Sequence, residues 1–232
     1  MRDNNIKEIL EETKVNIDEI RSKYLDAIKD DSIKEALRVK VKNCLENLRS
    51  CLDYMACDIY EKYYSLNSKK IYFPYGKKPQ NFRANLGNNF KKFKDKNGDV
   101  YALVESVQPY KCNDTWLVDL CNLTNINKHD NLSSQRREDY HRYNIQGIGL
   151  FQMNNQGTVI MRNNIVNGIP QGSDIVIKGK DILTDGKINL DIIRIDWVEF
   201  KFENTNIDVL KLLNKAYKEI FKLSKKIYEI IK

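Results

Sequence analysis

Histidine and proline are scarce in this chain of 232 residues, which has two histidines and four prolines. No apolar run approaches the ~18 residues that a membrane-spanning helix needs, so we expect no membrane partner. The N-terminal residues are charged and lack the apolar stretch of a secretory signal peptide. The five cysteines form no C-x-x-C pair, which predicts reduced thiols and a cytoplasmic location.

Several common arrangements for catalysis are also missing. The sequence has neither the glycine-rich loops that hold nucleotide phosphates nor the serine turn of the hydrolases. No cysteine and histidine have zinc-ligand spacing, since even Cys121 and His129 are more than two helical turns apart. We therefore expect no metal and no cofactor, and any histidine chemistry must use His129 or His141.

The apolar periodicity predicts an α+β fold that begins with two long helices. Apolar residues recur at helical spacing over about residues 5–29 and again to about residue 64, which predicts an antiparallel helical hairpin. Ser32 and Glu35 have the spacing of a capping box that would start the second helix. Two further expected helices are a short one at about residues 100–107 and a core helix after Asp114.

From residue 144 the apolar period changes to two, which predicts an antiparallel β meander. A final amphipathic helix is expected from about residue 206. We therefore expect a helical part at residues 1–143, and then a meander and C-terminal helix at residues 144–232. This last helix should pack back on the helical bundle, so that the chain forms one compact unit.

Positive charge is concentrated in an irregular basic segment, residues 67–99. Nine basic residues and a single acidic one lie between Lys69 and Lys96, a density that favours an anionic partner. The candidate nucleic-acid-binding cations are Lys69, Lys70, Lys77, Lys78, Arg83, Lys91, Lys92 and Lys94.

Aromatic residues alternate with these cations, as in proteins that bind single-stranded nucleic acid by charge and base stacking. The rings are Tyr72, Phe73, Tyr75, Phe82, Phe90 and Phe93. The alternative is that the rings anchor an irregular loop on the helices while the lysines only solvate the surface.

A candidate catalytic cluster combines the second helix with the core helix. Arg49 and Asp53 are four apart and share one helical face. If this face meets the end of the core helix, Asn125, Lys128 and His129 complete a pocket with a carboxylate, cations, an amide and an imidazole. The alternative is a surface ion pair beside a polar helix end.

Four ordered motifs resemble those of a widespread group of uncharacterised bacterial proteins. In this chain they are LRSCLDYMA at 48–56, FP at 73–74, QPY at 108–110 and NINKH at 125–129. The resemblance covers about residues 45–130 and implies the fold and the position of a site, but no reaction.

A second, shorter pattern joins Arg136 and His141. It resembles the Arg-x4–6-His signature of HEPN ribonucleases. The resemblance implies metal-free RNA cleavage, in which Arg136 binds phosphate and His141 assists attack by the 2′-hydroxyl.

Two classes of function remain open at this point. The first is an RNA-directed bacterial protein in a defence or toxin setting, either a HEPN-like nuclease or a nucleic-acid binder. The second is a non-catalytic module that binds a protein partner or itself. Cys44, Cys51, Leu52 and Ala56 widen the apolar face of the second helix, which favours a homodimer through the long helices.

Overall fold

The computed structural model describes residues 1–64, 70–87, 89–129 and 132–232, and only the backbone of residues 127–129. The chain divides into two compact units. Unit 1 contains residues 1–21, 37–134 and 207–232, and unit 2 contains residues 22–36 and 135–206.

The expected α+β class is confirmed, with helices in the first 129 residues and at the C-terminal end. The helices are α1 (Asp3–Lys29), α2 (Arg38–Tyr64), α3 (Pro79–Leu86), α4 (Phe93–Lys96), α5 (Gly98–Ser106), α6 (Pro109–Cys112), α7 (Trp116–His129) and α8 (Val209–Ile231). Asp208 caps α8, since its side chain accepts the N–H of Lys211.

The expected helical hairpin is present in unit 1. The start of α1 meets the end of α2, where Arg2 pairs with Asp58, and Lys40 near the start of α2 pairs with Glu19. The C-terminal α8 packs on α2, α5 and α7, as its apolar stripe predicts.

The apolar residues that favoured a helical dimer are covered within the chain. Cys44, Cys51, Leu52 and Ala56 on α2 are all fully buried. The width of the apolar face of α2 therefore reflects neighbours in the same chain, and the homodimer stays a prediction without this support.

Asp58 joins three helices at one end of unit 1. Its buried carboxylate on α2 accepts hydrogen bonds from the backbone and side chain of Arg2, at the start of α1, and from the Tyr228 hydroxyl of α8, at 2.6 Å. Burial, with the neighbouring Asp58 carboxylate, raises the pKa of Tyr228. A buried carboxylate with these three donors fixes the relative register of the helices.

The prediction that Ser32 and Glu35 form a capping box for α2 was wrong, because α2 begins only at Arg38, six residues after Ser32. The Ser32 N–H donates to Asp30 Oδ1 in a turn that ends α1, and the Ala36 N–H donates to Gln135 Oε1. Leu37 has a φ of 49°, which lies in the left-handed region, so a right-handed helix cannot run through this residue. The backbone before α2 is therefore satisfied by side chains from elsewhere in unit 2 rather than by a cap.

Unit 2 is built of antiparallel strands, as expected, but the structure divides them among three small sheets. The strands are β1 (Gln135–Ile145), β2 (Gly149–Asn154), β3 (Thr158–Met161), β4 (Ile165–Val166), β5 (Ile169–Pro170), β6 (Ile175–Lys178), β7 (Asp181–Thr184) and β8 (Ile192–Phe202). The sheet orders are β2-β1-β8, β3-β6-β7 and β4-β5. Tyr143, Ile145, Ile175 and Ile177 form the buried centre of the unit.

The strand β1 begins at Gln135, within residues that were expected to belong to the helical part. It pairs with β8 along its whole length. Its inward positions Arg137, Asp139 and His141 are polar because they line a polar cavity. The apolar alternation that identifies a half-buried strand is therefore missing from its first half.

Among the residues that the structure describes, no helix is both long enough and apolar enough to span the hydrocarbon core of a bilayer.

The Tyr228→Phe substitution should lower the free energy of unfolding by about 1 kcal/mol, because the Asp58 carboxylate loses a buried donor while the ring packing stays. The matched control is Tyr217→Phe, which changes a less buried ring on the same helix and should have almost no effect. Urea denaturation measures both values. Equal effects of the two substitutions would show that Asp58 does not depend on this contact.

Candidate functional site

Arg49 is held on three sides in the interior of unit 1. Its guanidinium lies 3.1 Å from Asp53 one turn further along α2. A second amino group contacts the Cys121 sulfur of α7, and the group lies 5.2 Å from the centroid of the Tyr75 ring. Burial raises the pKa of Cys121 to about 11, although the Arg49 charge opposes this shift. The guanidinium is therefore fixed, while Cys121 remains a neutral thiol at neutral pH.

The side chains of Asp53, which is half-buried, and Gln108, which is fully buried, supply hydrogen bonds to the irregular backbone at residues 71–76. Asp53 Oδ1 accepts the Phe73 N–H at 2.8 Å. Gln108 Oε1 accepts the Gly76 N–H at 3.0 Å, and its Nε2 donates to the Pro74 carbonyl at 3.1 Å. These bonds replace the partners that a helix or a sheet would provide.

Gly76 allows this segment to approach α3 closely. A Cβ atom at this position would lie 2.3 Å from the backbone nitrogen of Phe82. Any other residue would therefore push the segment away from α3 and disturb the bond to Gln108.

A cavity of about 400 Å³ opens beside Arg49 and Asp53. The amides of Asn85, Asn89 and Asn125 line it, and Asn125 also hydrogen-bonds the Tyr75 hydroxyl. The rings that line it are Tyr72, Phe73, Tyr75 and Phe90. The cavity thus offers several amide donors and acceptors next to exposed aromatic surface.

Part of the predicted cluster converges on this cavity. Arg49, Asp53 and Asn125 all line it. The side chains of Lys128 and His129 lie outside the described part of the structure, so their participation stays a prediction. Phe73 and Pro74, which form the second of the four motifs, also line the cavity. Gln108, from the third motif, hydrogen-bonds the segment that forms the wall.

Sequence reasoning missed several residues that shape the cavity. Asn85 and Asn89 lie between the candidate cations. The expectation that residues 67–99 are irregular was wrong in part, because they contain α3 and α4, and Asn85 lies in α3. Gln108 was noticed only as part of a motif, yet it is fully buried. No local sequence pattern predicts that Gln108 holds this segment, because Pro74 and Gly76, which it bonds there, are more than 30 residues away.

The candidate cations of the basic segment point to solvent. All of those that the structure describes are exposed, namely Lys70, Lys77, Lys78, Arg83, Lys91, Lys92 and Lys94. Lys69 lies outside the described residues. Such an exposed series gives a dense positive field at the surface of unit 1.

Most rings of the basic segment serve as anchors rather than as exposed stacking platforms. Phe73, Phe82, Phe90 and Phe93 are at most 3% exposed. Phe90, for example, packs edge-on against Tyr60 and Tyr64 of α2. Tyr72 differs from them, since 57% of it is exposed and it lies at the cavity.

The alternative catalytic pair, Arg136 and His141, is not brought together. The two residues are five apart on β1 and therefore lie on opposite faces of the strand. Arg136 pairs with Glu138 at 2.8 Å, whereas His141 lies 2.7 Å from Asp196 in the polar cavity of unit 2. The described residues also contain no group of three or more histidine, cysteine or carboxylate side chains that is placed to hold a metal ion.

Comparison of the chain with protein-family models, with curated proteins and with solved structures finds no match.

Replacing Asp53 by Ala should lower the free energy of unfolding by about 3 kcal/mol, because it leaves Arg49 as an unpaired buried charge and removes the acceptor of the Phe73 N–H. Glu46→Ala is the matched control, since Glu46 pairs with Lys42 at the same spacing on α2 but at a more exposed position. Its loss should cost less than about 0.5 kcal/mol. Chemical denaturation compares the two variants, and similar costs would contradict the structural role of Asp53.

Proposed function

We propose that this protein binds single-stranded nucleic acid, with RNA as the expected class, through the basic segment and the cavity beside Arg49. The observation that carries the proposal is the series of exposed cations on either side of the cavity-lining residues Tyr72, Asn85 and Asn89. Phosphates would contact the cations while a base enters the cavity.

The chemistry of the cavity fits an unpaired base. Bases stack on aromatic rings, and Tyr72 is the exposed ring at the cavity. Amide side chains read the edges of bases because they carry both donors and acceptors, and three asparagines line the wall. Asp53 holds the Arg49 guanidinium in one orientation at the wall, so its contact with a ligand would cost little side-chain ordering.

Binding is the form of RNA-directed function that we propose, rather than HEPN-like cleavage. Cleavage of that kind needs an arginine and a histidine that act together on one phosphate. Arg136 is engaged by Glu138 on the strand face opposite to His141. A place in bacterial defence or toxicity is compatible with RNA binding and belongs to the proposal.

The second candidate, a non-catalytic interaction module, has one observation in its favour. A mainly apolar groove of about 560 Å³ lies between α1 and α8, with Phe221 at its edge about half exposed. Grooves of this kind accept apolar side chains of partner proteins. This candidate becomes the better one if nucleic acid does not bind.

The triple substitution Lys91→Ala, Lys92→Ala and Lys94→Ala should weaken binding of a labelled single-stranded RNA. Each lost phosphate contact should also flatten the slope of log K against log salt by about 0.7. Fluorescence anisotropy over a salt series measures both effects. Thermal stability should stay nearly unchanged, because exposed lysines contribute little to folding.

The matched control removes the same charge from another surface of unit 1. Lys218, Lys222 and Lys226 are exposed on α8, and their replacement by Ala should leave the affinity and slope close to those of the wild type. Equal losses in the two triple variants would mean that only net charge matters. Absence of salt-dependent binding by the wild type at low ionic strength would refute the proposal.

A further inference from the structure

Unit 2 contains a second cavity, of about 450 Å³, whose lining is mostly polar. Its walls come from β1, β8, the turn between β2 and β3, the turn between β6 and β7, and the segment that follows α1. Cavities of this size typically hold small ligands.

His141 lies at the base of this cavity and is only 5% exposed. Its Nδ1 is 2.7 Å from Asp196 Oδ1 on β8, and its Nε2 is 2.6 Å from Asn155 Oδ1. Both ring nitrogens therefore have a partner, and the ring has one fixed orientation.

Gly179 connects the turn between β6 and β7 to the turn between β2 and β3, which carries Asn155. Its N–H donates to the Gly157 carbonyl at 3.0 Å, and the buried Tyr143 hydroxyl donates to its carbonyl at 2.6 Å. Gly179 has a φ of 55°, and a Cβ there would lie 2.8 Å from the Asn155 carbonyl oxygen. This contact holds Asn155 and the neighbouring Lys180 at the cavity.

Arg194 fixes the rim from the opposite strand. It donates to the Lys180 carbonyl at 2.6 Å, and its Nε lies 3.1 Å from the Asp196 carboxylate that also contacts His141. One carboxylate thus orients both a guanidinium and an imidazole.

Arg137 has a structural role at the other wall. It donates to the carbonyls of Ala27, Asp30 and Ile33 and pairs with Asp139 at 2.6 Å. These bonds use its donors to hold the segment that follows α1, so Arg137 is not free to take a ligand.

The charges that line the cavity do not balance. Five lysine and arginine side chains face three carboxylates, which leaves two positive charges apart from His141. The cations are Lys29, Lys34, Arg137, Lys180 and Arg194, and the carboxylates are Asp31, Asp139 and Asp196. Among the described residues Lys29 and Lys34 make no ion pair, and Lys180 has only a 3.8 Å contact with Asp31.

We propose that this cavity binds the phosphate group of a small phosphate monoester, with Lys180 and Lys34 as its cationic contacts and His141 and Asn155 at its base. A phosphate monoester near neutral pH carries close to two negative charges, which matches the local excess of two positive charges. A phosphodiester carries one, so the match favours a small molecule over a nucleic-acid backbone. The proposal concerns unit 2 and is independent of the nucleic-acid binding proposed for unit 1.

The test uses the ring signals of the histidines in the full-length protein. The chain has only two histidines, so His141→Gln identifies the His141 resonance by its loss. Titration with adenosine monophosphate or inorganic phosphate should shift this signal saturably. Sodium chloride at the same ionic strength should not reproduce the shift.

One variant at the rim of the cavity, one at its base and one control outside it make the test specific. Lys180→Ala should weaken phosphate binding about tenfold, because one charge-assisted contact is lost. Asn155→Asp keeps the size of the side chain but adds a negative charge beside His141, and it should weaken binding by more than tenfold. Lys178→Ala removes an exposed lysine two residues from Lys180 that does not line the cavity, and it should bind phosphate as the wild type does.

Three results with the wild type and these single variants would overturn the proposal. The first is a His141 signal that does not respond saturably to phosphate or the monophosphate. The second is an equal response of Lys178→Ala and Lys180→Ala. The third is saturation of the His141 signal by single-stranded RNA at lower concentration than by the monophosphate, which would assign the cavity to a polymer.

The triple lysine variant of the basic segment separates this proposal from the one for unit 1. It should retain the His141 response to phosphate while it loses affinity for RNA. Loss of both properties in this variant would show that phosphate acts through unit 1 and would overturn the proposal.

Discussion

Hydrogen bonds to the side chains of Asp53 and Gln108 allow the irregular backbone of residues 71–76 to run through the interior of unit 1. Asp53 accepts the N–H of Phe73, and Gln108 bonds both Pro74 and Gly76. Without these bonds the segment would carry unsatisfied backbone groups, which cost about 1–3 kcal/mol each. The cavity beside Arg49 and the placement of the exposed lysines both depend on this path of the backbone.

The same path of the backbone explains why most aromatic rings of the basic segment are buried while Tyr72 is exposed. Phe73, Phe82, Phe90 and Phe93 are buried and attach the segment to the helices. Because these rings hold the backbone, Tyr72 remains at the surface next to the cavity, and the lysines remain in solvent. Rigid presentation of charge reduces the ordering cost of binding an anionic polymer.

Periodicity predicted the long helices well because their burial is one-sided. The hairpin of α1 and α2 and the position of α8 follow from apolar residues at three- and four-residue spacing. Periodicity did not predict the structure where polar side chains occupy the inner face of an element. The first half of β1 presents Arg137, Asp139 and His141 inward, and the backbone before α2 is satisfied by Gln135 and Arg137 rather than by its own cap.

The candidate site was predictable in part, for a similar reason. Helical spacing placed Arg49 and Asp53 on one face, and the ordered motifs indicated that Asn125 lies near them. The exposure of Tyr72 was not predictable, because adjacent rings in one irregular segment are separated into buried and exposed only by tertiary packing. The role of Gln108 was not predictable for the same reason, since Pro74 and Gly76 are distant from it in sequence.

If the protein acts as we propose, single-stranded nucleic acid contacts the basic segment and the cavity next to it. Photocrosslinking of the full chain to a 4-thiouridine-containing RNA, followed by peptide mass spectrometry, tests this contact directly. We expect crosslinks in the peptides of residues 70–97, with Tyr72 among the modified residues. Crosslinks confined to residues 135–206, or spread evenly over lysine-bearing surfaces such as that of α8, would contradict it.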